Sequence, residues 1–404
     1  MKTKISLSLR RNGVRGLTAL LLALAACGPL TPPKTDAGAL TTGGGTATGG
    51  GTATGGGTAT GGGTATGGGA ATGGGAATGG GTATGGGTTD PLPNYGTALG
   101  AANAWTLTDQ FPPGQRPYYY NAIRGRDATH LWVTGPFGDV WFFNGTTTWT
   151  LVYDDSVGSL VLEDLAVSSA GVVAVAGPER LLTCASNCDQ AMSFDGPPRP
   201  NKHMKGLCTR GTSIFAVGRD SMLSKGVLYE FSNNAWTELT LTSPPPSLES
   251  CHVLSDGTLL LGGSSLWHRD GTGALTEEVV QPAFALAPLV WTRFVESDDR
   301  VFAMGTFSRI AQRRPNATWK AVYEPANGGS GFFDAWPLGN QEILFAGGPP
   351  STRVVLTGTT FTRLPDPIDF IANGVWAADA NTHWLGGSRQ INTSSSAFVI
   401  KATR

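Results

Sequence analysis

The 404-residue sequence predicts an all-β fold: a seven-bladed β-propeller of four-stranded blades, its last blade closed by an N-terminal strand, with a disordered linker ahead of it. Three observations predict it. Short apolar runs that end on glycine recur at even intervals. A Trp-Thr or similar pair trails most of those glycines. An orphan Trp-Thr strand at the start of the domain matches a strand missing at its end. The chain divides into 1–26, 27–94 and 95–404.

Residues 2–15 carry Lys2, Lys4, Arg10, Arg11 and Arg15 and no acid, and Leu17–Ala26 is an apolar run. A basic stretch, a short apolar stretch and small residues make a secretory signal. As a helix the run spans only about 15 Å, too short for a hydrocarbon core of ~30 Å. Leu24-Ala25-Ala26-Cys27 followed by Gly28 resembles the lipobox of bacterial lipoproteins. That resemblance implies cleavage before Cys27, acylation of its thiol and new amino group, and, with Gly28 rather than Asp next, an outer-membrane anchor facing the periplasm or the surface. Losing residues 1–26 leaves 23 basic and 29 acidic residues, a net charge of −6. A mildly acidic chain is poorly suited to nucleic acid, and none is expected as partner.

From Gly43 a six-residue unit, Gly-Gly-Gly-Thr-Ala-Thr, repeats with little change to Gly87. No charge falls between Asp36 and Asp90, and no large apolar residue between Leu40 and Leu92. Such a stretch buries too little to offset its backbone entropy, so residues 27–94 are expected as a disordered tether. As a flexible coil the repeat would reach roughly 40 Å r.m.s..

In 95–404 the glycine-ended runs close on Gly135, Gly177, Gly218, Gly262, Gly305, Gly347 and Gly386, spaced 42, 41, 44, 43, 42 and 39 residues apart. A near-continuous apolar run is what a strand buried on both faces between blades requires, and glycine suits a crowded exit. Trp149-Thr150, Trp236-Thr237, Leu275-Thr276, Trp319 and Phe361-Thr362 supply the trailing marker; the second unit fills it weakly near Met192-Ser193-Phe194. In the first unit the four strands read as Tyr119–Arg124, Leu131–Gly135, Asp139–Asn144 and Thr148–Val152, with Asn144-Gly145 as a hairpin turn. The seventh unit ends with Phe398 in the place of a third strand. Residues 104–108, with Trp105, are therefore expected to supply its fourth and remove an open edge. An open pair of packed sheets is the competing architecture.

This pattern resembles bacterial seven-bladed propellers over residues 104–404. The Gly262-Gly263, Gly347-Gly348 and Gly386-Gly387 pairs, and Tyr229 followed by Trp236, resemble degenerate Kelch blades. The Gly-His and Trp-Asp signature of WD40 repeats is absent, as is the Ser-x-Asp-x-Gly-x-x-Trp box of sialidases.

Beyond Cys27 four cysteines remain, an even number in an exported domain. Cys184 and Cys188 flank Ala185-Ser186-Asn187, which reads as a hairpin tip. Cys208 and Cys251 occupy matching places on the first strands of adjacent units. Bridges 184–188 and 208–251 are expected; free buried thiols at 208 and 251, or a metal site with His203 and His252, are the alternatives. His130 and His383 sit in matching Thr-His turns, and the acid pairs 154–155, 277–278 and 298–299 read as solvated loops. No catalytic residue, cofactor or metal site is expected, since no nucleophile elbow, phosphate loop or dinucleotide fingerprint is present. The expected function is a monomeric, membrane-tethered binding or scaffold module for a protein or glycan. A hydrolase or lyase with carboxylates at the channel is the first alternative, and a structural envelope component the second.

Overall fold

The computed structural model describes residues 105–404 except 111–118, 147, 156–160, 192–193, 285–289, 315–316, 326–330, 340, 350–352, 365–369 and 392–393; before them it describes only the strand Gly96–Leu99 and short strands between 40 and 84. Cys27 lies outside the described residues.

Antiparallel sheets follow one another along the chain. Blade one is Ala122–Asp127, His130–Thr134, Asp139–Phe143 and Trp149–Asp154. Blade two is Asp164–Val167, Val173–Gly177 and Arg180–Cys184. Blade three is Lys202–Arg210, Ser213–Asp220, Lys225–Ser232 and Ala235–Leu239. Blade four is Leu248–Val253, Leu259–Gly263, Leu266–Arg269 and Leu275–Glu278. Blade five is Trp291–Ser297, Arg300–Gly305, Arg309–Arg313 and Lys320–Tyr323. Blade six is Phe332–Gly339, Glu342–Gly347, Arg353–Thr357 and Thr360–Arg363, with Gly96–Leu99 added in parallel outside it. Blade seven is Phe370–Asp379, Thr382–Ile391 and Ser394–Thr403, and its fourth strand is Thr106–Asp109. The closing strand and Phe398 thus share one sheet, as the sequence predicts.

The core is divided among the blade interfaces. One buried apolar cluster lies between each pair of neighbours, and the cluster of Tyr120, Ile123, Leu131, Trp376, Trp384 and Val399 joins blade seven back to blade one. Burying such side chains is worth about 1.5–3 kcal/mol each, so the interfaces hold the ring shut. Marker glycines sit where the first strand of a blade crowds the second. A Cβ on Gly218 would lie 2.2 Å from the His203 carbonyl oxygen, and one on Gly347 2.2 Å from that of Gly331. In blade seven the crowded residue is Gly387 rather than Gly386.

Two differences from the sequence reading have local causes. Blade one begins its ladder at Ala122 rather than Tyr119, because the Tyr120 N–H is already donated to the Gly387 carbonyl of blade seven (3.1 Å). Among the described residues blade two has three strands. Its fourth place holds a single bridge, Thr183 to Asp195, beyond the hairpin closed by the Cys184–Cys188 disulfide and followed by Pro197 and Pro198. This is the unit whose marker is weakest in sequence.

The chain divides into two compact units between Leu92 and Pro93. In the first, the described residues are short strands of the repeat. Leu40–Thr42, Thr52–Thr54, Thr64–Thr66 and Ala77–Thr78 form one parallel sheet, and Thr46–Thr48, Thr58–Thr60, Ala70–Thr72 and Thr82–Thr84 another. Near-identical triplets two repeats apart stack in register, so backbone ladders stand in for an apolar core.

His383 is fully buried in blade seven beside Arg353 and edge-on to Trp105, 4.3 Å between ring centroids. Burial first, then the charges of Arg353 and Arg404, hold its pKa well below the ordinary histidine value. The unfolded chain therefore takes up the proton first. Stability from this group is full above pH ~6.5 and falls as pH drops below it, by at most about 1.4 kcal/mol per pH unit. His383→Gln is expected to flatten the pH dependence of unfolding between pH 6.5 and 5 relative to wild type, measured by urea titration. An unchanged slope would refute this.

Candidate binding site in the propeller channel

The first strand of each blade lines the central channel. In blades three to seven that strand carries a β-bulge at its start, and the bulged residues are Lys205, Glu249, Thr292, Phe333 and Asn373. A bulge re-aims a side chain out of the alternation of the strand. These five, with Asn121 and Glu163 from blades one and two, line one polar mouth, one residue per blade. Several are tied to the next blade. Asn121 Nδ2 donates to the Leu162 carbonyl (2.7 Å), Asn373 Nδ2 to that of Tyr120 (2.9 Å) and Thr292 Oγ1 to that of Phe332 (3.3 Å). Glu163 accepts from Lys205 Nζ (3.0 Å) and contacts His203 Nε2 (3.2 Å). Burial acts to raise its pKa, but hydrogen bonding by His203 and the Lys205 charge outweigh it and hold Glu163 below the usual range.

Beneath the mouth the channel is crossed by a buried ion network. Arg293 makes a two-pronged pair with Asp164 (2.6 and 2.9 Å), and its Nε lies 3.1 Å from Asp334. Arg124 makes a second two-pronged pair with Asp334 (2.6 and 2.9 Å). Both carboxylates are fully enclosed and also accept backbone N–H bonds, Asp164 from Leu207 and Asp334 from Val375 (2.8 Å each). Burial presses Asp164 toward protonation; the Arg293 charge and hydrogen bonds, with Arg124, prevail and lower its pKa, while the same carboxylates raise that of Arg293. Two cations thus balance two anions.

Past this plug lies a second cavity of about 820 Å³, counting its open mouth, lined by Leu165, Val167, Phe294, Val295, Trp336 and Pro337 among others. The Cys208–Cys251 disulfide forms part of its wall, joining the first strands of blades three and four. His252 Nε2 and Glu296 pair there at 2.9 Å.

The sequence-selected residues are therefore dispersed. Cys184 is joined to Cys188 on the outer part of blade two, Cys208 to Cys251 on the channel wall, and Trp105 and Phe398 lie in blade seven. His130 closes a turn on Asp127 (2.8 Å). Of the acid pairs, Glu278 is held by Arg313, His268 and Trp319 between blades four and five. Among the described residues no group of three His, Cys, Asp or Glu could hold a metal ion. The mouth ring and the ion network were not singled out in sequence. A signal exists: each mouth residue lies 13 or 14 positions before its marker glycine, as Asn121 before Gly135 and Phe333 before Gly347.

No protein-family model matches the chain. No curated protein matches it. Solved structures do. A virginiamycin B lyase from Staphylococcus aureus is similar at 15% identity and TM-score 0.60, covering 74% of this chain and 99% of that one. YCF48 from Cyanidioschyzon merolae is similar at 14% and 0.54 (74% and 98%), and the WD40 β-propeller domain of Doa1 at 11% and 0.57 (74% and 97%). At these identities the likeness shows the propeller fold alone.

Proposed function

We propose that this chain is a membrane-tethered extracytoplasmic module that binds a protein or glycan through one propeller face and performs no catalysis. The observation that carries the reading is the state of the channel carboxylates. Asp164 and Asp334 are locked by Arg293 and Arg124, Glu163 by Lys205 and His203, and Glu296 by His252. A glycosidase needs one carboxyl held protonated and another free to act on the substrate or water. Here Asp164, Asp334 and Glu163 are paired with Arg or Lys, Glu296 is bonded to His252, and Glu249 accepts from Ser247, so most of the channel carboxylates serve as scaffold. The same fold carries binding elsewhere, as in YCF48 bound to a D1 peptide. Tethering rests on the Leu24-Ala25-Ala26-Cys27 lipobox, which would place acyl chains on Cys27 at the outer membrane. The degenerate Kelch-like glycine pairs agree with a repeat kept for packing rather than chemistry.

Affinity capture from membranes tests this. The chain is expected in the membrane fraction with a discrete co-purifying protein or glycan, and Cys27→Ser in the soluble fraction. Capture of nothing, with glycan turnover by the purified protein, would replace the binding module with the enzyme.

A further inference from the structure

The hairpin between the second and third strands of blade five turns through Thr306–Ser308. Phe307 sits there at φ 64° and ψ 27°, and Ser308 follows at φ 57°. Left-handed backbone is a position for Gly, Asn or Asp. A phenylalanine there is a steric outlier. Phe307 is 38% exposed, one of few large apolar side chains exposed among the described residues. Its ring faces the Arg309 guanidinium, 5.2 Å from the centroid, which Glu324 holds at 3.0 Å.

This hairpin borders the polar mouth. Thr306 N–H is donated to the Val290 carbonyl (3.0 Å), just ahead of the first strand of blade five. A Cβ on Gly331 would lie 3.7 Å from Phe307 N and 3.9 Å from Phe333 Cε1, so the hairpin and the mouth aromatic flank the same glycine. Phe333 therefore lines a ring of planar amides and carboxylates, and the strained backbone of Phe307 borders it. Asn121 and Asn373 give their Nδ2 groups to backbone carbonyls, which fixes the amide planes and leaves each amide oxygen as an acceptor. Glu249 takes a hydrogen bond from Ser247 (2.6 Å) and keeps further acceptor capacity.

We propose that Phe307, Phe333 and the mouth ring form a binding site for a neutral oligosaccharide. It rests on the binding-module reading and specifies its ligand. Sugar rings present C–H faces that stack on aromatic rings, and hydroxyls that pair with fixed planar acceptors and with an ammonium such as Lys205. A mouth with two glutamates and one lysine, above a charge-balanced plug, disfavours an anionic ligand. Phe307 keeps its strained turn because its ring is needed at the surface.

The test uses the full-length protein in detergent, with cellotetraose, maltotetraose and chitotetraose as probes, followed by calorimetry and thermal melting. At least one probe is expected to bind saturably. Phe333→Ala is expected to weaken it at least tenfold. Phe307→Gly is expected to weaken it as much while raising the melting temperature, because glycine accepts the turn without strain. A role in folding alone predicts no loss of binding on that substitution. Failure of all three probes, or binding indifferent to both variants, overturns the site. Membrane capture separates that failure from failure of the wider reading. A protein partner retained by wild type and both variants leaves the binding module standing and removes the oligosaccharide site.

Discussion

Replacing Arg293 with methionine is expected to destabilise the propeller by about 3–5 kcal/mol, near the upper end because one guanidinium serves two buried carboxylates. The side chain touches Asp164 of blade two and Asp334 of blade six, residues 129 and 41 positions away in sequence. Its removal leaves Arg124 as the remaining cation for two fully enclosed anions. The pH dependence identifies the cause. In wild type, Asp164 titrates below its unfolded value, so its contribution is present above pH ~4 and is lost only as pH falls lower. Without Arg293, burial is opposed only by the Arg124 charge and the Leu207 hydrogen bond, and the pKa of Asp164 is expected to rise above the unfolded value. Protonation then favours the native state, and the deficit of the variant should shrink as pH falls from 8 to 5. Chemical unfolding at several pH values measures this. A deficit below 1 kcal/mol, or one independent of pH, would show that the network does not hold the channel together.

The blades were legible in the sequence because their constraints act through residue type. A backbone approaching to 2.2 Å of a would-be Cβ admits only glycine, so Gly218 and Gly347 are visible at any separation. The buried run ahead of each glycine must be apolar on both faces, as Val301–Gly305 is. The channel is written differently. Arg124, Asp164, Arg293 and Asp334 are ordinary strand charges in sequence, and each looks like a solvent-facing residue until the ring brings the strands within reach. Which side chain enters the channel depends on the bulge, a backbone feature that Lys205, Thr292 and Phe333 satisfy equally well. The mouth therefore has a fixed position in the repeat but no fixed residue type. Phe307 was missed for the opposite reason: its turn holds a residue that turn chemistry disfavours.

Cutting the closing strand is expected to have the largest effect on the fold. Thr106–Asp109 pairs with Ser394–Thr403 and gives blade seven its fourth strand. Trp105 adds its ring to His383, receives Arg404 over its face at 4.5 Å, and packs with Leu107 against the cluster containing Phe398. Beyond the strand, the Gln110 carbonyl accepts the Trp149 indole N–H of blade one (2.9 Å), so the segment ties the last blade to the first. A chain lacking residues 105–109 leaves Ser394–Thr403 as an open apolar-backed edge, which recruits a second chain. It is expected to elute as oligomers and to lose its single cooperative transition. Three substitutions separate side chain from backbone. Trp105→Ala removes a half-buried ring and should cost about 2–3 kcal/mol, less than a fully buried tryptophan would. Gln110 N–H bonds the Val399 carbonyl (2.8 Å), and the alternation of an antiparallel ladder makes Thr108 the next donor toward the same strand. Thr108→Pro deletes that donor and should loosen the closure, whereas Thr108→Val keeps it and should be near neutral. Size-exclusion chromatography with thermal melting reads all four variants. If the truncated chain stays monomeric and melts where wild type does, the ring is closed by blade packing alone, and the N-terminal strand is an ornament on its edge.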